Sequence, residues 1–197
     1  MTEISRPRPN PFRNVPNLLT LLRICLAPFL VAAILEDRFR LSFALFVAAG
    51  LTDAFDGLLA RTLKQRTVLG QYLDPVADKV LLSTLFLVLM HKGLIPATVT
   101  VLVFGRDVGI LLVAAILYAA VGRREFGPSL FGKANTVAQV GAVAVVLLHQ
   151  LTGAPWVVVL RTVALDATMA LTVASGLHYA WTTSRRLSAQ ANGHSTK

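Results

Sequence analysis

Four aspartates lie within 26 residues of a chain that is otherwise strongly apolar. Asp53 and Asp56 are three residues apart, and Asp74 and Asp78 are four residues apart. On α-helices, both spacings put the two carboxylates of a pair on one face. Four converging carboxylates would repel one another by roughly 15–20 kcal/mol before screening, at about 3 kcal/mol for each pair. Either several of the carboxylates stay protonated or cations bind; because an all-oxygen ligand set suits Mg²⁺ or Mn²⁺, we expect a metal site.

Metal ions held by carboxylates commonly bind phosphate groups, because the ion bridges and neutralises phosphate oxygens. Gly57 and Ala60 remove side-chain bulk near Asp56, which would let a phosphate approach the backbone, and Arg61 would clamp it. Each feature has a structural alternative. Small residues also allow close helix packing, a lone arginine also extends to the membrane interface, and the four aspartates could instead form an interhelical salt-bridge network. The few neighbouring basic residues argue against that network.

Six apolar segments must position these residues. The chain has 197 residues, 55% of them hydrophobic, and a mean hydropathy of +0.65, which exceeds what a soluble domain shows. Apolar runs of membrane-spanning length recur, which predicts an all-α, polytopic integral membrane protein with six transmembrane helices. Asp74-Pro75 reads as a helix N-cap followed by the first helical residue, so it marks the start of the third span. The expected spans are 17–35, 41–60, 74–91, 95–121, 133–151 and 156–182.

The spans divide the chain into an arm (1–16), a six-helix domain (17–182) and a polar tail (183–197). With six helices, both termini lie on one side, together with the segments around 61–73 and 122–133. That side carries twelve lysines and arginines, and the opposite side carries three. The bias predicts cytoplasmic termini and a cytoplasmic site at the ends of the second and third helices. The net charge of +9 is explained by loops beside anionic lipid, and we expect no nucleic-acid partner.

The aspartates belong to a longer pattern, Asp-x2-Asp-Gly-x2-Ala-Arg-x8-Gly-x3-Asp-x3-Asp, which ends with Gly70, Asp74 and Asp78. All eight fixed positions match the signature of the CDP-alcohol phosphatidyltransferases, which this chain resembles. The segments "NVPNLLTLLRICLAP" and "FGKANTVAQ" resemble the first and fifth helices of that family. The resemblance implies a six-helix membrane fold and transfer of a phosphatidyl group from CDP-diacylglycerol to an alcohol, with release of CMP.

The resemblance also implies roles for individual residues. Asp53, Asp56, Asp74 and Asp78 would bind two Mg²⁺ or Mn²⁺ ions, and Asp78 would also be the general base. Lys133 and Arg106 would be the cationic residues near the acceptor. A further set would bind CDP-diacylglycerol: Asn17, Thr20, Gly57, Ala60, Arg61, Thr67 and Gly70.

Two short segments and one position bear on the identity of the acceptor. "GRDV" at 105–108 and "GKANT" at 132–136 are similar to CMP-forming cardiolipin synthases, which use phosphatidylglycerol. Relatives that use glycerol 3-phosphate often have a second lysine where Asn135 stands, and a lost cation would weaken binding of a small dianion. Phosphatidylglycerol is therefore the expected acceptor, and glycerol 3-phosphate is the alternative. The family also implies a homodimer.

Three other classes of membrane protein share some of these features, but each fits the sequence less well. An ion-coupled transporter keeps acids inside the membrane, but it usually places them at the midplane between repeated halves. No repeat is visible here, and the aspartates lie near helix ends. A membrane prenyltransferase uses metal and pyrophosphate but needs a longer chain with more helices. A non-catalytic scaffold would not require four aspartates in register.

Overall fold

The computed structural model describes the backbone of residues 15–62, 68–121 and 130–194. Side chains are described for residues 22–53, 79–113, 131–182 and 184. All regular structure in these ranges is α-helical, which confirms the expected all-α class. The six helices are α1 (Val15–Leu35), α2 (Phe39–Thr62), α3 (Val68–His91), α4 (Ala97–Val121), α5 (Leu130–Leu151) and α6 (Pro155–His194).

Two helix boundaries differ from the expected spans by more than three residues. The third helix begins at Val68, so Asp74 and Pro75 lie inside it and Asp74 is not its N-cap. Proline lacks an N–H and leaves the carbonyl four residues earlier without its helical partner, yet helices of membrane proteins tolerate this. Pro28 lies inside α1 in the same way. The proline signal for a helix start was therefore wrong at this position.

The last helix continues to His194, well past the expected end of the apolar span at residue 182. Its final turns contain arginine, leucine, alanine and glutamine, which favour the helix although they are mostly polar. The polar composition of this segment marks where the apolar surface ends, and the helix does not end there.

The chain divides into two compact units, Met1–Val88 and Leu89–Lys197. In the first unit, α1 packs against α2 through Leu30, Ala33 and Ile34 on one helix and Phe46 and Ala49 on the other, all of them buried. A three-residue turn joins these helices, with Asp37 in the left-handed region at φ 58°. So short a connection makes α1 and α2 antiparallel neighbours.

In the second unit, α6 packs against both α4 and α5. The core of this unit contains both aliphatic and polar residues, and its fully buried aliphatic side chains include Val99, Val103, Val143, Val146, Leu147 and Val157. The turn before α4 contains Gly93 at φ 69°, a conformation that residues with a Cβ adopt at a cost.

The surface is that of a membrane protein. Phe131–Leu151 and Pro155–Thr182 are long and apolar enough to cross a bilayer, and two shorter apolar stretches cover Leu22–Leu35 and Lys79–His91. Large apolar side chains are exposed along all six helices in the described parts. Trp156 and Trp181 are both exposed and lie about 37 Å apart along α6, slightly more than the thickness of a hydrocarbon core. This spacing suits interfacial anchors at opposite membrane faces.

Candidate active site

Asp53 is the one aspartate of the signature whose side chain is described, and it forms an ion pair with an arginine of α1. The Nη2 atom of Arg23 lies 2.7 Å from Oδ1 of Asp53. The arginine side chain is 3% exposed, whereas that of Asp53 is 53% exposed. No partner of the second carboxylate oxygen of Asp53 is seen among the described residues. An exposed carboxylate with one oxygen held and one available suits a monodentate ligand of a hard cation.

The other three aspartates lie on described backbone, but their side chains are outside the described residues. Asp56 lies on α2 one turn after Asp53, and Asp74 and Asp78 lie one turn apart on α3. The helical backbone therefore gives each pair the spacing of a shared face. The described side chains form no cluster of three or more potential metal ligands, and they include only one of the four expected ligands. The metal site stays a prediction.

The residues expected to bind CDP-diacylglycerol lie in two parts of the sequence, near the start of α1 and between the end of α2 and the start of α3. Their side chains are not among those described, and Thr67 lies outside the described backbone as well. The remaining six are on helices: Asn17 and Thr20 on α1, Gly57, Ala60 and Arg61 on α2, and Gly70 on α3.

The two residues expected near the acceptor differ in environment. The Nη1 of Arg106 donates to Oδ1 of Asp107 at 2.7 Å, and its Nη2 donates to Oγ of Ser175 on α6 at 2.5 Å. Both charged side chains are almost enclosed, with exposures of 10% and 7%. Asp107 thus orients the guanidinium of Arg106. Lys133, in contrast, is exposed on α5.

A row of buried polar side chains between α5 and α6 was missed by the sequence reasoning. Thr168, Thr172 and Ser175 are spaced four and three residues apart on α6, and all are buried. Facing them on α5 are Asn135 and Gln139, each with no exposed surface. The Thr172 hydroxyl donates to Oδ1 of Asn135 at 2.9 Å. The helical spacing of these residues is the signal that could have revealed the row.

Asp166 lies within the sixth expected span, where a charged side chain is costly unless it is enclosed. Its side chain on α6 is exposed, and it has no ion pair among the described residues. The α6 arginine five residues earlier, Arg161, instead donates from Nη2 to the carbonyl of Leu94 at 2.6 Å. That bond anchors α6 to the turn before α4.

Comparison with known sequences decides the family. The sequence model of the CDP-alcohol phosphatidyltransferases matches residues 13–175, which include the whole eight-position signature. The chain belongs to the CDP-alcohol phosphatidyltransferase family.

Relatives within this family carry different functional names. The cardiolipin synthase (CMP-forming) of Rattus norvegicus is 46% identical over 110 residues, which are 55% of this chain and 35% of that protein. The probable phosphatidylglycerophosphate synthase of Mycobacterium tuberculosis (strain H37Rv) is 35% identical over 173 residues, 84% of this chain and 79% of that protein. The CDP-diacylglycerol--glycerol-3-phosphate 3-phosphatidyltransferase of Bacillus subtilis (strain 168) is 34% identical over 153 residues, 70% and 78% of the two chains.

The extent of these matches differs between the two groups. The chain spans only about a third of the length of the mammalian cardiolipin synthases that it matches. It covers more than three quarters of the length of the Mycobacterium tuberculosis and Bacillus subtilis relatives.

Proposed function

We propose that this protein transfers the phosphatidyl group of CDP-diacylglycerol to the hydroxyl group of an alcohol and releases CMP. The observation that carries the proposal is the complete eight-position signature of the family. Its four aspartates lie on helices α2 and α3 at one-turn spacings. The half-exposed carboxylate of Asp53 fits this chemistry, since a cation could reach the oxygen that Arg23 does not hold.

Divalent ions, Mg²⁺ or Mn²⁺, would be held by Asp53, Asp56, Asp74 and Asp78 in this proposal. Carboxylate oxygens are the donors that these hard cations prefer, and Asp53 is accessible enough to serve as one. The bound ions would hold the pyrophosphate and stabilise its developing charge as CMP departs.

The chain's own side chains carry the remaining steps. Asp78 would take the proton of the acceptor hydroxyl, whose oxygen attacks the phosphorus attached to diacylglycerol. The bond from that phosphorus to the CMP oxygen then breaks, and no covalent enzyme intermediate is needed. Gly57 and Ala60 would let the nucleotide approach the backbone of α2, and Arg61 would pair with its phosphates. Asn17, Thr20, Thr67 and Gly70 would complete the nucleotide site.

Phosphatidylglycerol is the acceptor that we favour, which would make this protein a CMP-forming cardiolipin synthase. Support comes from the "GRDV" and "GKANT" segments and from the identity to the rat cardiolipin synthase. Asn135 adds to this support, because it is an uncharged and fully buried residue bonded to Thr172. Arg106 and Lys133 would then be the cations that meet the acceptor's phosphate.

Glycerol 3-phosphate is the second candidate acceptor, which would make the protein a phosphatidylglycerophosphate synthase. It is favoured by the more extensive matches to two bacterial relatives, one named a probable phosphatidylglycerophosphate synthase and the other a CDP-diacylglycerol--glycerol-3-phosphate 3-phosphatidyltransferase. In either case we propose a multi-pass protein with both termini and the active site on the cytoplasmic side, from the bias of twelve basic residues to three. We also propose a homodimer among membrane lipids.

An acceptor panel tests this proposal. Purified protein is supplied with CDP-diacylglycerol, Mg²⁺ or Mn²⁺, and one of four acceptors: phosphatidylglycerol, glycerol 3-phosphate, inositol phosphate or serine. We expect CMP and cardiolipin with the first acceptor, and none of either in the matched Asp78→Asn variant. If phosphatidylglycerophosphate were the main product, the acceptor would be glycerol 3-phosphate and not phosphatidylglycerol. Absence of CMP with every acceptor would contradict the transferase, and ion flux in proteoliposomes would then favour a transporter.

A further inference from the structure

An arginine on the first helix is buried within an otherwise apolar segment. Arg23 lies in the sequence "LLRICLAP", and its neighbours Leu22 and Ile24 are both exposed. The arginine side chain itself is 3% exposed, so α1 directs this residue away from its apolar surface. A buried arginine in such a segment requires a specific partner, because an enclosed charge is otherwise strongly unfavourable.

Asp53 on α2 is the partner of Arg23 in the described ion pair, and the geometry of the helix pair explains the contact. Arg23 precedes the end of α1 by twelve residues, and Asp53 follows the start of α2 by fourteen. Because the two helices are antiparallel neighbours, these distances put both residues at nearly the same level. The resulting bond from Nη2 to Oδ1 is 2.7 Å long, a normal length for a charge-assisted hydrogen bond.

The two partners are unequally enclosed, and the inequality points to a function. Arg23 approaches from the buried side, whereas Asp53 is about half exposed. One carboxylate oxygen is therefore fixed from the interior, and the other has no bond among the described residues. A bond of this kind restricts the rotation of the carboxylate and leaves its second oxygen able to bind a metal ion.

We propose that Arg23 is a positioning residue of the metal site: its bond to Asp53 orients that carboxylate toward the divalent ions. This inference rests on the proposed function, in which Asp53 is a metal ligand. Groups that orient metal ligands in this way typically change metal affinity by about 10- to 100-fold when they are removed. The role concerns affinity for the ion, and Arg23 need not touch either substrate.

Two simpler roles for Arg23 predict different results. If the arginine only balanced the charge of the aspartates, its removal would take a positive charge away from the site and tighten binding of a divalent cation. If it only stabilised the packing of α1 on α2, its removal would lower the melting temperature and leave metal affinity unchanged. Positioning alone predicts weaker metal binding, so the direction of the change separates the three roles.

The Mn²⁺ affinity of each variant can be measured directly. Purified protein is titrated with Mn²⁺, and the electron paramagnetic resonance signal reports the concentration of the free ion. We expect Arg23→Met to weaken Mn²⁺ binding at least about tenfold. Arg23→Lys keeps the charge but loses the planar fork, so we expect binding weakened at least about threefold. The matched control is Arg161→Met, which removes another arginine of an apolar helix whose partner is a backbone carbonyl. Its Mn²⁺ affinity should equal that of the wild type.

Circular dichroism and melting temperature report whether each variant folds. If Arg23→Met does not fold, the comparison of Arg23→Lys with the wild type decides, because charge balance predicts no change there. Wild-type affinity in both Arg23 variants, or tighter binding in Arg23→Met, would overturn the inference. A wild-type protein that binds no Mn²⁺ and releases no CMP would instead overturn the proposed function, so the two failures are distinguishable.

Discussion

The Arg106–Asp107 pair gives a stability prediction that follows from the contacts of the second unit. Asp107→Asn removes one charge while keeping the size of the side chain and one oxygen acceptor. The guanidinium of Arg106 would then be left 10% exposed with only neutral partners, one of which is Ser175. We expect this substitution to destabilise the unit formed by α4, α5 and α6.

The magnitude follows from the distance and the burial. Two unit charges 2.7 Å apart attract by about 6 kcal/mol at an effective dielectric of 20. The desolvation of both groups offsets part of this attraction, and removing one partner of a buried pair usually costs about 3–5 kcal/mol. Because asparagine retains an acceptor, we expect a loss near the lower end, about 3 kcal/mol. For a chain of this length, that is a fall in melting temperature of roughly 6–12 °C.

Thermal unfolding in detergent, followed by circular dichroism, is the assay. The matched control is Asp166→Asn on α6, where the carboxylate is exposed and no ion pair is described, so we expect a change within about 0.5 kcal/mol. Combining Arg106→Gln with Asp107→Asn should recover part of the loss, since no uncompensated charge remains. Equal melting temperatures for Asp107→Asn and Asp166→Asn would refute the reasoning.

Three further substitutions test separate features. Asp78→Asn should lower CMP release by at least about 10²-fold while leaving the fold intact and, through the other three aspartates, most of the Mn²⁺ binding; near-normal release would remove Asp78 as the base. Thr172→Val breaks a buried bond between α5 and α6 and should cost about 1–2 kcal/mol in unfolding free energy, whereas Thr162→Val, whose exposed hydroxyl bonds its own helix, should be nearly neutral. Gly93→Ala should cost about 1 kcal/mol in the same assay because of its positive φ, and Gly153→Ala, without positive φ, should not; equal effects would contradict this reason.

The number and order of the helices could be predicted because apolar runs and turn residues are visible in short stretches of the sequence. The turns around Asp37 and Gly93 lie between the apolar runs where glycine and charged residues cluster. The boundaries at Val68 and His194 were not predictable from the same signals. A proline inside a helix and a polar helical extension both resemble helix ends when composition alone is read.

The partners of charged and polar residues could be predicted only where they are neighbours in the sequence. Arg106 and Asp107 are adjacent, so their pairing was foreseeable. The bond between Arg23 and Asp53 joins residues thirty positions apart, and it depends on the lengths of two helices and their turn. Asp166 could not be predicted either. Charged residues within membrane spans are generally enclosed, but the side chain of Asp166 is exposed.

The measurement that bears most directly on the central claim is the release of CMP from CDP-diacylglycerol at controlled divalent-ion concentration. Purified protein, stripped with a chelator and then supplied with Mn²⁺ or Mg²⁺ and phosphatidylglycerol, should form CMP and cardiolipin in equal amounts, and Asp53→Asn should require far more metal for the same rate. CMP formation that continues undiminished in excess chelator, or that is equal in wild type and Asp53→Asn at every ion concentration, would contradict a phosphatidyltransferase built on metal-binding aspartates.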